Sequence, residues 1–267
     1  MCGISGIISS KTFEPAQRQA IREMARIQHH RGPDSTGFAE YPNVLLAHNR
    51  LSLIDLHERS NQPFTSDRYC LIYNGEIYNF RELKEELARD FQISFRGTSD
   101  TEVLFHALIH WGVKNTLGRI QGMFAFAFYD QQTREIVIAR DKIGIKPLFY
   151  FENNGFLYFA SELKALTSVH PNLQLNKPRL MQAATGALET SRRFTGFEGI
   201  KQLEPGHYLH FAVDSKITAI PEMYFQTADW IDESEWNRLN RMLLTTSMVF
   251  GTFTWRLKSH QWSVTLI

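Results

Sequence analysis

The apolar and polar positions of this chain follow two periods in turn, one typical of strands and the other of helices. Short apolar runs and period-two alternation predict strands, whereas apolar residues three and four apart predict amphipathic helices. The predicted strands span residues 3–9, 44–47, 69–73, 122–129, 135–139, 147–151, 156–160, 207–212 and 217–220. The predicted helices span residues 14–28, 81–90, 101–111, 161–166, 180–187 and 233–247, and residues 251–267 show no clear pattern.

The segment 122–129 is the clearest strand. It reads Gly-Met-Phe-Ala-Phe-Ala-Phe-Tyr, so small and aromatic side chains alternate. Because neither face is polar, we expect a strand that is buried on both faces. The strands of the chain are grouped, and helices lie between the groups rather than after every strand. This order indicates an α+β fold built in layers.

Two polar segments between the predicted elements have open interpretations. Residues 29–37 are dense in turn formers. This loop is either a plain connector or a clamp in which Arg31 and Asp34 form a buried ion pair. Asn74-Gly75 follows a predicted strand and is a strong hairpin-turn signal, because both residues tolerate positive φ.

Composition sets few limits on function. The chain has 43% hydrophobic and 13% aromatic residues, which suffices for a buried core, and its formal net charge is only +1. So small a charge gives no reason to expect nucleic acid or an anionic membrane as a partner. No apolar run approaches the ~18 residues of a membrane-spanning helix, and the start of the chain does not read as a signal peptide. A cytoplasmic protein is therefore expected.

The two cysteines, Cys2 and Cys70, lie in very different surroundings. Neither belongs to a Cys/His cluster with metal-ligand spacing, so no metal site is expected. Cys70 lies in an apolar run and is expected to be a buried, inert thiol. Removal of Met1 would leave Cys2 with a free α-amine beside its thiol. With a pKa near ~8, that amine could take the thiol proton, so one residue would supply both a nucleophile and its base.

Several short motifs, in their order along the chain, resemble one protein family. The start Met-Cys-Gly-Ile-Ser-Gly resembles the class II glutamine amidotransferases, which use an N-terminal nucleophile. The glutamine-hydrolysing asparagine synthetases, one branch of that family, are favoured by HRGPD at 30–34, HNRLSLID at 48–55, NGEIYN at 74–79, SDTE at 99–102, GMFAFAFYD at 122–130, and the segments 140–150 and 161–164. The resemblance covers about residues 1–230.

The resemblance implies both a fold and a reaction. The fold would be a four-layer αββα sandwich of the N-terminal-nucleophile hydrolase type. The reaction would be hydrolysis of the glutamine side-chain amide, in which Cys2 attacks the amide carbon and forms a thioester. The side chain of Asn74 and the backbone N–H of Gly75 would then hold the oxyanion.

The resemblance also implies how glutamine would be bound. Arg50 would bind the α-carboxylate, because its planar fork can donate two hydrogen bonds at once. Asp100, helped by Glu76, would bind the α-ammonium group. Backbone groups nearby would line the same pocket, namely those of Leu51, Ser52, Leu53 and Ile54.

Each of these residues has a plain structural alternative when it is taken alone. Cys2 could be an accident of a frayed terminus, Asn74-Gly75 an ordinary hairpin turn, and Asp100 or Ser99 the N-cap of the helix that follows. So many motifs in this order are very improbable by chance, which favours the functional interpretation.

The pattern departs from complete asparagine synthetases after residue 230. Those enzymes have a second domain that uses ATP and Mg and carries a Ser-Gly-Gly-x-Asp-Ser phosphate loop, and this chain contains no such loop. The expected organisation is an amidotransferase domain at 2–230, then a linker helix and a truncated or aberrant tail at 231–267. No cofactor is expected on this chain.

The expected partners are L-glutamine, a separate synthetase chain and, as the family allows, a second copy in a homodimer. An active glutaminase is the leading hypothesis. Its alternatives are a catalytically idle module that binds glutamine or docks on a synthetase, and a non-functional truncated fragment.

Overall fold

A computed structural model of the chain describes residues 1–53, 55–185, 193–215, 217–226, 252–257 and 260–265. The chain divides into two units, Met1–Tyr224 and Phe225–Ile267. The strands of the first unit are β1 Gly3–Ser9, β2 Ser35–Tyr41, β3 Val44–Arg50, β4 Phe64–Thr65, β5 Tyr69–Ile77, β6 Gly122–Asp130, β7 Glu135–Arg140, β8 Phe149–Asn153, β9 Phe156–Ala160, β10 Ile200–Gln202, β11 His207–Ala212 and β12 Glu222–Met223. Its α-helices are α1 Pro15–Ile27, α2 Phe80–Phe91, α3 Asp100–Arg119, α4 Leu163–Val169 and α5 Lys177–Ala184.

The strands of the first unit form two six-stranded sheets. The first sheet has the order β10-β8-β9-β1-β3-β2, and the second has the order β12-β11-β7-β6-β5-β4. Neighbouring strands are antiparallel in both sheets. Strand β1 lies between β3 and β9, so the segment that begins at Gly3 is hydrogen-bonded on both sides. The N-terminal strand is thereby anchored inside a sheet.

Three apolar clusters hold the layers of this unit together. The first lies between the sheets and combines side chains such as Ile4 and Leu46 with Ile72. The second joins the outer face of the second sheet to α2 and α3, and the third joins the outer face of the first sheet to α1 and α4. The order of layers is therefore helix, sheet, sheet, helix. The α+β sandwich implied by the resemblance is confirmed.

Strand β6 is buried on both faces, as its sequence predicts. Ala125 and Ala127 belong to the cluster between the sheets, where small side chains let the sheets approach. Phe124 and Phe126 belong to the cluster beneath the helices, and both are 0% exposed. Burial of one such aromatic side chain stabilises a fold by about 1.5–3 kcal/mol. The alternation of Ala and Phe thus follows from the two faces of β6: the alanines face the other sheet, and the phenylalanines face the helices.

The hairpin turn predicted at Asn74-Gly75 is wrong. Both residues continue strand β5, in which Asn74 lies opposite Ala125 and Gly75 lies opposite Phe124. A Cβ at position 75 would lie 2.4 Å from the Met123 carbonyl oxygen, so the glycine allows close approach of β6 rather than a turn. Pairing with the central strand β6 overrides the local turn propensity.

Other predictions differ from the structure at element boundaries. Residues 35–37, predicted as loop, begin β2. The helix predicted at 101–111 continues to Arg119 as α3, which contains a kink at Gly112 with φ 74°. The strand predicted at 217–220 is wrong, because β11 pairs instead with β7 on one side and β12 on the other.

The described residues of the second unit include one pair of strands. Strands β13 Thr252–Leu257 and β14 His260–Thr265 pair antiparallel, with Thr252 opposite Thr265. Residues 251–267, which show no clear sequence pattern, are therefore β-structure in part. The helix predicted at 233–247 lies outside the described residues.

His48 links the two sheets through the core. It lies on β3 of the first sheet, is 0% exposed, and its Nε2 lies 3.0 Å from the Tyr73 carbonyl oxygen of the second sheet. A carbonyl can only accept, so Nε2 carries the proton. Burial lowers the pKa of His48 from 6.5 to about 4, although the hydrogen bond to Tyr73 opposes this effect. The imidazole is therefore neutral in the folded protein at neutral pH.

We expect this buried imidazole to make the fold sensitive to acid. Between pH 6.5 and pH 4 the unfolded chain binds a proton at His48 that the folded chain does not, because the folded pKa is about 4. Acidification through this window should therefore cost about 3 kcal/mol of the free energy of unfolding. Urea denaturation at pH 7 and pH 4 measures this loss. A His48→Gln variant should lose about 3 kcal/mol less than the wild type, while a variant of the exposed His110, His110→Gln, should behave like the wild type.

Candidate active site

A pocket of about 230 Å³ opens beside the N-terminus of the chain. Its walls come from the residues before β1, the ends of β3 and β5, the start of α3 and the loop between β7 and β8. Most of the residues implied by the sequence line it together: Cys2, Arg50, Leu51, Leu53, Asn74, Gly75, Glu76 and Asp100. These segments are far apart in the sequence, so the fold creates the pocket.

Contacts on two sides fix the position of Cys2. The Leu51 backbone N–H donates to Cys2 Sγ at 3.4 Å, and Sγ donates to the Leu51 carbonyl at 3.7 Å. Arg31 Nε donates to the Cys2 carbonyl at 2.9 Å, and Arg31 Nη1 pairs with Glu162 at 3.0 Å. An ion-pair clamp does exist at Arg31, but its carboxylate belongs to Glu162 rather than to Asp34. The clamp acts on the backbone that carries the thiol.

The surroundings of Cys2 keep its thiol protonated at neutral pH. Burial raises the pKa of this thiol, and the hydrogen bond from Leu51 and the positive charges of the N-terminus, Arg50 and Lys146 only partly oppose this effect. A base must therefore accept the proton when the sulfur attacks an electrophile. With Met1 in place, the terminal amine belongs to Met1, and the Cys2 nitrogen is part of a peptide bond.

Asn74 offers the pocket a buried donor that the protein does not use. The residue is 1% exposed, and its Nδ2 has no hydrogen-bond partner within the part of the chain that the structure describes. An unsatisfied buried donor costs about 1–3 kcal/mol, so an acceptor is expected from a bound molecule. Gly75 follows on the same strand and also lines the pocket.

Arg50 places a fixed positive charge at the pocket. It ends β3 and is 5% exposed. Its Nη1 donates to Asn61 Oδ1 at 2.8 Å and to the His57 carbonyl at 3.2 Å, and its Nη2 donates to the Asp55 carbonyl. These bonds hold the plane of the guanidinium group before any ligand arrives. A preset cation of this shape suits a carboxylate.

Asp100 places a fixed negative charge at the pocket. Ser99 caps helix α3 by accepting from the Glu102 N–H at 3.4 Å, so Asp100 is not the cap but the first helical residue. Asp100 Oδ2 accepts from Tyr73 Oη at 2.8 Å and from the Ile77 N–H at 3.0 Å. Burial raises the pKa of this carboxyl, while these hydrogen bonds lower it.

Two of the implied residues are not placed in the pocket. Ser52 does not line it, and its backbone N–H donates instead to Asp34 Oδ2 at 2.7 Å. That bond directs the Ser52 N–H toward the loop at 29–37. Ile54 lies outside the described residues.

The likeness of the chain to known proteins agrees with this geometry. A family model described as "Glutamine amidotransferase domain" matches residues 1–224. The chain belongs to the class II glutamine amidotransferases. Asparagine synthetase (glutamine-hydrolyzing) 3 of Bacillus subtilis (strain 168) is 38% identical over 221 residues, which are 80% of this chain and 35% of that protein. Asparagine synthetase (glutamine-hydrolyzing) 1 of the same organism is 35% identical over 223 residues, which are 82% of this chain and 34% of that protein. The chain spans about a third of the length of these curated relatives.

A solved structure shares the fold of this amidotransferase domain. Glutamine phosphoribosylpyrophosphate amidotransferase from B. subtilis superposes with a TM-score of 0.62 at 20% sequence identity, over 84% of this chain and 49% of that one. At this level of identity the likeness concerns the fold alone. It supports the layered α+β sandwich described above.

Some residues of this pocket were not predicted from the sequence. Tyr73, Gln62 and Lys146 also line the pocket. Gln62 Oε1 accepts from the Tyr73 N–H at 2.6 Å, which ties a loop to strand β5. Tyr73 belongs to an apolar run, and Lys146 to a charged turn, so neither position differs in sequence from ordinary core or surface.

Among the described residues, no group of three or more His, Cys, Asp or Glu side chains could hold a metal ion. Within the same parts of the chain, every helix is too short or too polar to cross a membrane.

Proposed function

We propose that this domain hydrolyses the side-chain amide of L-glutamine to glutamate and ammonia through a thioester on Cys2. The proposal rests on the single pocket that combines a thiol, an unused buried amide donor, a cation and an anion. Hydrolysis of glutamine requires a nucleophile, an oxyanion donor and a clamp for a zwitterionic amino acid. Family membership supports the same reaction class.

The charges in the pocket suit the two ends of an amino acid. In the proposed complex Arg50 binds the α-carboxylate, and Asp100 binds the α-ammonium group with help from Glu76. The side chain of glutamine then extends toward Cys2 and Asn74. Backbone groups of Leu51 and Leu53 complete the binding surface.

The proposed chemistry proceeds in two steps. Cys2 Sγ attacks the amide carbon, and the α-amine of Cys2, free once Met1 is removed, accepts the thiol proton. Asn74 Nδ2 and the Gly75 N–H donate to the oxyanion. The same amine returns its proton to the departing nitrogen, so ammonia leaves and a γ-glutamyl thioester remains. Water then attacks the thioester through a second oxyanion and releases glutamate and the Cys2 thiol.

The fate of the ammonia is a further part of the proposal. The two B. subtilis relatives are named as asparagine synthetases, and the chain spans about a third of their length. We propose that a separate synthetase chain, which would bind ATP and Mg, receives the ammonia. Without that synthetase, this chain is expected to release free ammonia.

The experiment compares two forms of the purified chain, with their N-terminal residues established by intact mass. The form that begins at Cys2 should release glutamate and ammonia in equal amounts from glutamine. A form that keeps a residue before Cys2 should release neither, because its Cys2 nitrogen is an amide. Equal rates for the two forms would overturn the proposed base. Glutamine binding without turnover in both forms would instead indicate an idle binding module.

The hydrogen bond from Tyr73 to Asp100 carries a prediction about substrate binding. Tyr73→Phe removes one of the donors that orient the carboxylate, with Tyr73 Oη at 2.8 Å from Oδ2. Because hydrogen bonds to charged groups contribute about 1.5–3 kcal/mol, we expect KM for glutamine to rise about tenfold with kcat within about twofold. Tyr69→Phe, on the same strand but outside the pocket, is the matched control and should leave KM unchanged. A fall in kcat with an unchanged KM would contradict the assigned role.

A further inference from the structure

Lys146 is a buried cation at the wall of the pocket. The residue is 4% exposed and lines the same space as Cys2 and Glu76. Within the described residues, the hydrogen bonds of Lys146 are those of its backbone, and its ammonium group makes no hydrogen bond and no ion pair. Burial of a charge is costly unless an opposite charge or a hydrogen bond compensates for it. The pocket is the remaining place from which compensation can come.

The loop that carries Lys146 is built to hold it there. The buried Asp141 carboxylate accepts from the backbone N–H groups of Ile143 at 3.2 Å, Ile145 at 2.9 Å and Lys146 at 2.9 Å. Arg140 Nε donates to the Lys146 carbonyl at 2.7 Å. With both its N–H and its C=O bound, the backbone of Lys146 has little freedom. These bonds fix the position of Lys146 at the wall of the pocket.

Charged groups from several elements face Lys146. Burial lowers the pKa of Lys146 and Arg31 adds to this effect, while Glu76, Cys2 and Asp141 oppose it. Asp141 is occupied by the backbone bonds of its own loop. Glu76, on β5, therefore competes with the Cys2 sulfur for the charge of Lys146.

The other charged groups around Cys2 are less able to respond to it. Arg50 and the N-terminal amine also act on the sulfur, and Asp100 lines the same pocket. The guanidinium group of Arg50 is held by the loop at 55–61, and Asp100 by Tyr73. The ammonium group of Lys146 has no such bonds and is free to approach a negative charge that develops nearby.

We propose that Lys146 is a positioning residue whose charge stabilises the thiolate form of Cys2 and so sets the pH range in which the sulfur reacts. The inference deepens the function proposed above and rests on it for its biological meaning. A positive charge beside a thiol lowers the pKa of that thiol, because it favours the ionised form. Lys146 would thus offset part of the desolvation that raises the pKa of Cys2.

The test measures the rate of Cys2 alkylation by iodoacetamide as a function of pH, with no need for turnover. The proteins are the full chain starting at Cys2 and its Lys146→Met, Lys146→Arg and Glu76→Gln variants. Lys146→Met should move the alkylation midpoint upward by about one pH unit. Lys146→Arg keeps the positive charge and should have the wild-type midpoint. Glu76→Gln removes the competing negative charge and should lower the midpoint. Lys11→Met removes the same charge far from the pocket and serves as the matched control, with no shift expected.

Each other outcome overturns the inference. A midpoint that is unchanged in Lys146→Met shows that the charge does not reach the sulfur. Equal shifts in Lys146→Met and Lys146→Arg, together with a lowered melting temperature, indicate a packing role. The test is independent of the proposed function, because a chain that hydrolyses no glutamine still yields an alkylation midpoint. Conversely, if the enzyme hydrolyses glutamine but its alkylation midpoint does not change in Lys146→Met, the proposed glutaminase activity stands and only this inference is overturned.

Discussion

Cys2→Ala is expected to lower the rate of glutamine hydrolysis by at least about 10⁴-fold, because the variant has no atom that can form the thioester. The other pocket residues remain in place, so glutamine should still bind. Release of glutamate from the chain that begins at position 2 measures the rate, and isothermal titration with glutamine measures the binding.

Cys70→Ala is the matched control for this change. Cys70 is 0% exposed and lies in the cluster between the sheets, away from the pocket. Burial raises its pKa to about 12, so its thiol is not reactive at neutral pH. The control should lose some stability and keep its kcat. Activity retained by Cys2→Ala but lost in Cys70→Ala would contradict the assignment of the nucleophile.

The second large effect is expected at Asn74. Asn74→Ala removes the buried Nδ2 that has no partner among the described residues, and should lower kcat by about 10²–10³-fold. KM should change little, because the oxyanion exists only in the transition state and the intermediates. Steady-state kinetics of glutamate release separates the two parameters.

Two further variants sharpen this result. Asn74→Asp keeps the shape of the side chain but replaces the donor by a negative charge, so its kcat should fall below that of Asn74→Ala. Asn115→Ala, at an exposed position on α3, is the control and should match the wild type. A rise in KM at unchanged kcat in Asn74→Ala would show that the side chain binds the ground state instead.

Much of the fold follows from local sequence patterns. The alternation of Ala125, Phe126 and Ala127 requires two apolar faces, and β6 indeed lies between the second layer of helices and the other sheet. The prediction at Asn74-Gly75 is wrong because a turn propensity is a local preference. Continuous pairing with β6 is a tertiary interaction, and it outweighs that preference.

The site was predictable to the extent that its residues carry recognisable chemistry. Cys2, Arg50 and Asp100 are suggested by their motifs, and the fold brings them to one pocket. Tyr73 and Lys146 could not be found this way, because a tyrosine in an apolar run and a lysine in a charged turn are ordinary. Only the three-dimensional arrangement shows that Tyr73 orients a carboxylate and that the ammonium group of Lys146 is bonded to none of the described residues.

The most direct test of the central claim is to locate the covalent adduct formed with a glutamine-shaped electrophile. The chain that begins at Cys2 is incubated with 6-diazo-5-oxo-L-norleucine, digested and sequenced by tandem mass spectrometry. We expect one adduct, at Cys2, that excess glutamine prevents, and no adduct at the buried Cys70. Turnover of glutamine by a chain in which Cys2 stays unmodified, or in which the label lies on another residue, would contradict this expectation.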